Sequence, residues 1–178
     1  MSGMFIGLTK DEFSKRPNDN EFPKTISVTA GGKIMERTVR TGIVIDAPPE
    51  RVWAALVGFG GHAAWNPCLR RIDGQAKPNH SLRITIRFGW LPPIRFRARI
   101  DRFSRNEILG WRAAFFLGLL TGRHWFELQP LDAGKTLFIH AETFSGALSS
   151  PFLALLSGII RQSYDAMNRA LKVIVEQK

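Results

Sequence analysis

The sequence predicts an α+β fold: a curved antiparallel sheet of about seven strands wrapped around one long C-terminal helix, with two short helices after the first strand. Three patterns carry this expectation. Between residues 81 and 144, apolar side chains recur at every second position in several short segments, the period of strands that bury one face. Short links join these segments, which suits antiparallel neighbours and not parallel ones. From residue 149 onward the period becomes that of a helix with one apolar stripe.

Residues 1–35, with KRPNDNEFPK and TAGGK, show little periodicity. They read as an extension, partly disordered or draped on a domain that occupies residues 36–178. Residues 36–46 form the first strand. Pro48, Pro49 and Glu50 suit the first turn of a helix, which carries Val52, Trp53, Leu56 and Val57 on one side and is broken by Gly58, Gly60 and Gly61. A second short helix or turn leads to Trp65 and Asn66, read as braces of the corner before Pro67. Residues 69–74 make a weaker strand.

Strands over residues 81–88, 94–101, 107–113, 123–129 and 136–144 follow. Their alternation sets Leu82, Ile84 and Ile86 against Arg83, Thr85 and Arg87, and Phe138, His140, Glu142 and Phe144 against Leu137, Ile139, Ala141 and Thr143. Ser149 or Ser150 is the expected N-cap of the last helix, with Pro151 as its first residue. Phe152, Leu156, Ile159, Ile160, Met167, Leu171 and Ile174 supply its buried stripe.

The 178 residues suffice for one domain, and 44% hydrophobic with 22% charged residues is the balance of a globular chain. The single cysteine, Cys68, cannot form an internal disulfide, so a cytoplasmic setting is expected. The first residues lack the pattern of a signal peptide, and the apolar runs fall short of the roughly 20 residues that span a bilayer. Lys and Arg outnumber Asp and Glu by 25 to 15, a formal charge of +10, which suggests anionic neighbours. The arginines at 83, 87, 95, 97 and 99 keep the strand period without interleaved aromatics, so a solvated convex face is read there and nucleic acid is not expected as a partner. There is no phosphate loop, dinucleotide fingerprint or metal-ligand spacing, and no cofactor is expected.

The motifs IDAPPERVWAAL, WNPCLRRIDG, HWFELQP, GKTLFIHAETFSG and MNRALK occur in this order. Together they closely resemble the polyketide cyclase/dehydrase and lipid-transport proteins of the SRPBCC, or START-like, superfamily, from about Val39 to Val175. The resemblance implies a helix-grip fold whose sheet and helix enclose a cavity for a hydrophobic molecule.

The expected walls of that cavity are Trp53, Trp65, Ile84, Ile86, Phe96 and Ala98, then Leu109, Trp111, Phe126, Phe138 and Phe144, with Leu156, Ile160 and Met167 from the helix. His124, His140 and Glu142 are polar residues on a face that otherwise carries Phe and Leu. Neighbouring antiparallel strands bring them together. A buried carboxylate needs a partner, and a histidine beside Glu142 would provide one. The three residues are candidates for a ligand anchor (to a carbonyl or hydroxyl), for acid/base catalysis, or for a structural hydrogen-bond network.

In a meander, alternate loops share an edge. One edge collects Trp90, Leu91, Phe115, Phe116, Leu119 and Phe152, and the other collects polar links. The apolar edge is read as the mouth of the cavity and, with the positive charge, as a site of transient contact with an anionic membrane. The first functional reading is binding or transport of a lipid-like or polycyclic molecule. A cyclase or dehydratase using the same His and Glu residues, and a protein-interaction module docking through the apolar rim, are the alternatives.

Overall fold

The computed structural model describes the backbone of residues 26–31 and 34–177 and the side chains of residues 37–177. Strand β1 (Ile26–Gly31) pairs with β2 (Ile34–Ile45). Two short helices follow, α1 (Pro49–Val57) and α2 (His62–Trp65), separated by one 3-10 turn at Phe59–Gly61. The meander is β3 (Leu69–Asp73), β4 (Ser81–Ile86), β5 (Ile94–Ser104), β6 (Ile108–Phe115), β7 (Leu120–Leu131) and β8 (Lys135–Ser145). Helix α3 (Ser149–Glu176) ends the chain.

All eight strands form one antiparallel sheet in the order β1-β2-β8-β7-β6-β5-β4-β3. β2 to β8 are the seven strands the periodicity predicts, and β1 adds an eighth from the segment expected as an extension. The rest of that extension, residues 1–25 and 32–33, lies outside the described residues. No helix of the described residues is long and apolar enough to cross a membrane.

The two-residue period works as expected in β7, where Leu120, Gly122, His124, Phe126 and Leu128 are buried. It fails in β8. Leu137, Ile139 and Ala141, placed by alternation on the wet side, are buried as well. Leu137 and Ile139 pack with Val44 and the half-buried Leu131 in a small second cluster on the outer face. β8 lies between β2 and β7, where the middle of a sheet is driest.

The main core lies between the inner face of the sheet and the helices. Ile160, Tyr164, Met167, Leu171 and Val175 of α3 are buried there beside Leu109, Phe126 and Phe138. Each aliphatic side chain so buried stabilises the fold by about 2 kcal/mol. At the corner after α2, Asn66 Oδ1 accepts from the amides of Cys68 at 2.9 Å and Leu69 at 2.8 Å. Its Nδ2 donates to His62 Nδ1, while His62 Nε2 donates to the Leu56 carbonyl. Asn66 is the expected brace.

Helix α3 starts earlier than its serines suggest. Leu148 occupies the N-cap, so Ser149 and Ser150 are helical and Pro151 is the third helical residue. The reason is the turn before it. Gly146 has φ +99°, and the amide of Leu148 is bonded to the Leu119 carbonyl, that of Ser149 to Gly146. A β-carbon at position 146 would run into the Leu119 carbonyl oxygen. Gly146→Ala should therefore cost more than about 1 kcal/mol of stability, from φ strain and the clash together. A denaturation midpoint unchanged from wild type would contradict this account of the turn.

Candidate functional site

The register of β7 on β8 sets Phe126 opposite His140 and His124 opposite Glu142. His124 and His140 are thus diagonal neighbours on the inner face, within reach of each other's side chains. Their Nε2 atoms lie 2.7 Å apart. His140 Nδ1 bonds to Asn168 Oδ1 on α3 at 3.0 Å, and Asn168 Nδ2 donates to Thr41 Oγ1 on β2 at 2.9 Å. This polar chain joins β7, β8, α3 and β2 through the interior.

Glu142 does not pair with a histidine, contrary to expectation. Its Oε2 accepts a short hydrogen bond from the Tyr164 hydroxyl, while the Nε2 of His124 turns diagonally to His140. Oε1 lies over Gly122, where a β-carbon would come within 2.7 Å of it. The absence of a side chain at 122 is what makes room for the carboxylate.

Burial sets the charge of each group. It pushes His140 down to about 3, with the Asn168 bond acting weakly the other way. It pushes His124 well below the ordinary value, helped by the neighbouring His140. Both imidazoles are neutral. Burial lifts Glu142 to about 7 against the opposing Tyr164 bond. Cys68 is buried and its thiol is raised to about 12, chiefly by burial and then by Glu142, which fits a packing role.

Aromatic rings fill the space around the histidines. Trp111 stacks on His124 at 4.4 Å, and Tyr164 on His140 at 3.8 Å. Phe126 lies edge-on to both, and stacks on Phe138. Of the expected walls, Trp53, Ile84, Ala98, Leu109, Phe144, Ile160 and Met167 are buried core residues. Trp53 packs on Phe103, and Trp65 lies beside His62 at the α2 corner; neither makes a ring contact with the histidine pair.

Towards the loop end the inner face is less closed. Ile86, Phe96 and Phe115 on the sheet, Phe152, Leu156 and Ile159 on α3, and Glu142 between them are only half-buried. Beyond them stands the apolar rim. Trp90 is 80% exposed, Phe116 66%, Leu119 52%, and Leu91 is half-buried. Leu117, in the apolar loop expected at this edge, is exposed too, as are Ile94 and Leu155, which were not expected there. Phe116 and Leu117 hold φ of +51° and +56°, a left-handed conformation that bulky side chains resist.

Two hollows of about 390 and 440 Å³ lie on the opposite face and share Arg97. Arg71, Arg83 and Arg95 line one, Arg99 and Arg112 the other. Among the described residues, no group of three or more His, Cys, Asp or Glu side chains is placed to hold a metal.

Sequence reasoning missed Thr41, Tyr164 and Asn168. The last two had a signal: Tyr164 is four residues after Ile160 and Asn168 one after Met167, so both fall on the buried stripe of α3. Thr41 had none, since a lone threonine in a strand is ordinary.

The sequence pattern of the family described as polyketide cyclase/dehydrase and lipid transport matches residues 36–176. No curated protein sequence matches the chain. Solved structures share the fold at low identity. An aromatase/cyclase, Zhui, from Streptomyces sp. R1128 superposes with a TM-score of 0.64 at 16% identity, over 80% of this chain and 94% of that one. A truncated norcoclaurine synthase from Thalictrum flavum gives 0.63 at 9% identity, over 84% and 99%. Ara h 8.0201 gives 0.62 at 16%, over 80% and 99%.

The charge states fix a pH dependence. Unfolded histidines titrate near 6.5, but the buried pair refuses protons until far lower pH. Their contribution is complete above 6.5 and is lost as pH falls. Glu142 acts oppositely: its folded value of about 7 exceeds the ordinary 4.5, so it favours the folded state at low pH and less as pH rises through that window. Two histidines outweigh one carboxyl. Thermal stability should climb from pH 5 to about 6.5 and then level or dip. Glu142→Gln removes the opposing group, so the climb should steepen; a flat profile in both proteins would refute the neutral-histidine assignment.

Proposed function

Since the chain belongs to the polyketide cyclase/dehydrase and lipid transport family, within the SRPBCC-like superfamily, we propose that it binds a hydrophobic small molecule, lipid-like or polycyclic, between the sheet and the N-terminal half of α3. One observation carries the reading. The inner face is closed around His124 and His140, but half-buried from Glu142 outward along Ile86, Phe96, Phe115, Phe152, Leu156 and Ile159. Such a run of partly covered apolar surface, ending at a few polar groups, is the composition of a ligand site. The exposed rim of Trp90, Phe116, Leu117, Leu119 and Leu155 is where the ligand enters. Trp90, Leu91, Phe115, Phe116, Leu119 and Phe152 guide it past Phe144 to Glu142.

The same rim rests transiently on an anionic membrane. The strained tip at Phe116 and Leu117 keeps two large apolar side chains in contact with water, a cost that an interfacial site would explain.

A second reading has its own support. A carboxyl near 7 bonded to a phenol holds both protonation states at neutral pH, as a cyclase or dehydratase acid/base would need. Glu142 and Tyr164 would then be the reacting pair, with His124 and His140 behind them.

Native mass spectrometry of the protein purified from its own host should show one small apolar molecule per chain. A stoichiometric protein partner in its place would instead support docking through the rim. With vesicles, the chain should sediment when phosphatidylserine is present and remain free with phosphatidylcholine alone. The double change Phe116→Asp, Leu117→Asp should abolish sedimentation while leaving thermal stability within about 0.5 kcal/mol, because both side chains are in water. Equal sedimentation of the two proteins would remove the membrane from the account.

A further inference from the structure

The two hollows of the outer face are built largely from arginine. Strand register puts Arg83 opposite Arg97 and Arg99 opposite Arg112, with Thr85 between Arg71 and Arg95. All six arginines are exposed, on the four adjacent strands β3 to β6. Neighbouring strands stand about 4.8 Å apart and rise about 3.3 Å per residue, so the six occupy a patch roughly 14 Å by 13 Å. The carboxylate in these walls is Asp73, and it is paired with Arg71 at 2.9 Å. Among the described residues, Arg83, Arg95, Arg97, Arg99 and Arg112 have no carboxylate within ion-pair distance. Water hydrates such groups but does not cancel their charge. The patch therefore repels itself across strands that must pair, and a bound anion would relieve it.

The shape of the patch narrows the anion. Its hollows measure about 390 and 440 Å³, within the range of small-molecule sites. Each offers guanidinium forks, which hold phosphate by paired hydrogen bonds, beside hydroxyls: Thr85 in one, Ser81 and Thr121 in the other. Arg97 belongs to both, so the two anionic groups of one ligand can share it. Phe96, the aromatic residue of these walls, packs its ring on Phe115 and the core, which leaves bases nothing to stack on. Arg97 and Arg99 lie three and five residues beyond Ile94, about 10 and 17 Å behind the rim. The second hollow is thus too far back for the headgroups of a bilayer touched rim first.

We infer that the outer face binds a soluble small molecule carrying several phosphate groups, with at least one phosphate in each hollow and Arg97 holding both. The sheet separates this site from the apolar interior, and the inference does not rest on the binding of a hydrophobic molecule there.

The test is calorimetry on the full chain at physiological salt with inositol hexakisphosphate, tripolyphosphate and orthophosphate. The hexakisphosphate should bind one per chain, about a hundredfold or more tighter than orthophosphate, because only it can fill both hollows. Arg97→Gln should weaken it about tenfold or more. Arg169→Gln removes the same charge from the exposed side of α3 and should weaken it less than about twofold. The melting temperature of ligand-free Arg97→Gln should be no lower than that of wild type, since the change relieves the repulsion with Arg83; a loss of binding is then not a loss of fold. Equal weakening by the two substitutions, several ions per chain, or binding at low salt only would reduce the patch to general charge attraction and overturn the site. Tighter binding of a DNA duplex than of the hexakisphosphate overturns it in favour of nucleic acid. Capture by vesicles containing phosphatidylinositol bisphosphate, with no competition from the free hexakisphosphate, overturns it in favour of a lipid headgroup.

Discussion

Everything in the interior depends on where α3 is pinned, and the pin is the hydrogen-bonded chain His124–His140–Asn168–Thr41. It crosses from β7 and β8 to the helix and returns to β2. Burying four polar side chains among Phe126, Phe138 and Met167 is costly unless their bonds are made. Once made, they allow few alternatives. A helix shifted by one residue would leave Asn168 facing carbon and His140 unpaired. Apolar packing alone tolerates such slips far better. Hydrophobic burial holds the helix to the sheet, and the polar chain fixes its register.

The pin divides α3 into unlike halves. Beyond Ile160 the buried positions Tyr164, Met167, Leu171 and Val175 recur every three or four residues, and Lys172 Nζ adds bonds to the Val44 carbonyl and to Glu176. Before Ile160 the only buried positions of the helix are Ser149 and Leu153. Leu155 is 81% exposed, Phe152, Leu156 and Ile159 are half-buried, and Gly158 has open space around it. Local opening begins where few apolar contacts must be broken. The first half of the helix thus has fewer buried contacts to break than the half that carries Asn168. On the proposed reading, a ligand admitted there would meet Glu142 and Tyr164 before the histidines.

The sequence spelled out the seven strands and the closing helix because strand and helix periods differ sharply and the turns are short. The convergence of His124, His140 and Glu142 was legible for the same reason: period-2 alternation on adjacent strands places such residues together whatever their chemistry. The pairing within the group was not legible. His124 sits opposite Glu142, yet bonds to His140, because a ring that reaches diagonally is a matter of side-chain torsions, on which spacing is silent. Tyr164 captured the carboxylate from another element altogether. β8 misled for a different reason. Leu137 and Ile139 look like a wet face only if the outer side of the strand meets water, and the cluster with Val44 is a fact of neighbouring strands, not of the local pattern. The early start of α3 came from Gly146, whose left-handed turn outweighs the capping preference of two serines.

The arginine rows of the outer face begin next to the apolar rim. Arg83 lies opposite Arg97, Arg99 opposite Arg112, and Arg112 opposite Arg123. Like charges so placed oppose the pairing of the strands that carry them, and among the described residues only Arg123 has a close carboxylate, Asp101 at 2.8 Å, within these rows. Along β5 the chain passes from the exposed Ile94 at the rim to Arg95, Arg97 and Arg99. A strand rises about 3.3 Å per residue, so these three guanidinium groups start about 3, 10 and 17 Å behind the tip. With the tips at a bilayer interface, the first would meet phosphate groups and the next would remain within reach of the surface potential, which decays over about 8 Å at physiological salt. On that geometry the arginine rows weaken the sheet slightly, and under the proposed membrane contact they would orient the molecule, rim first, towards an anionic surface. The half-buried run from Phe115 and Phe152 down to Glu142 would then face the source of an apolar ligand, rather than open water.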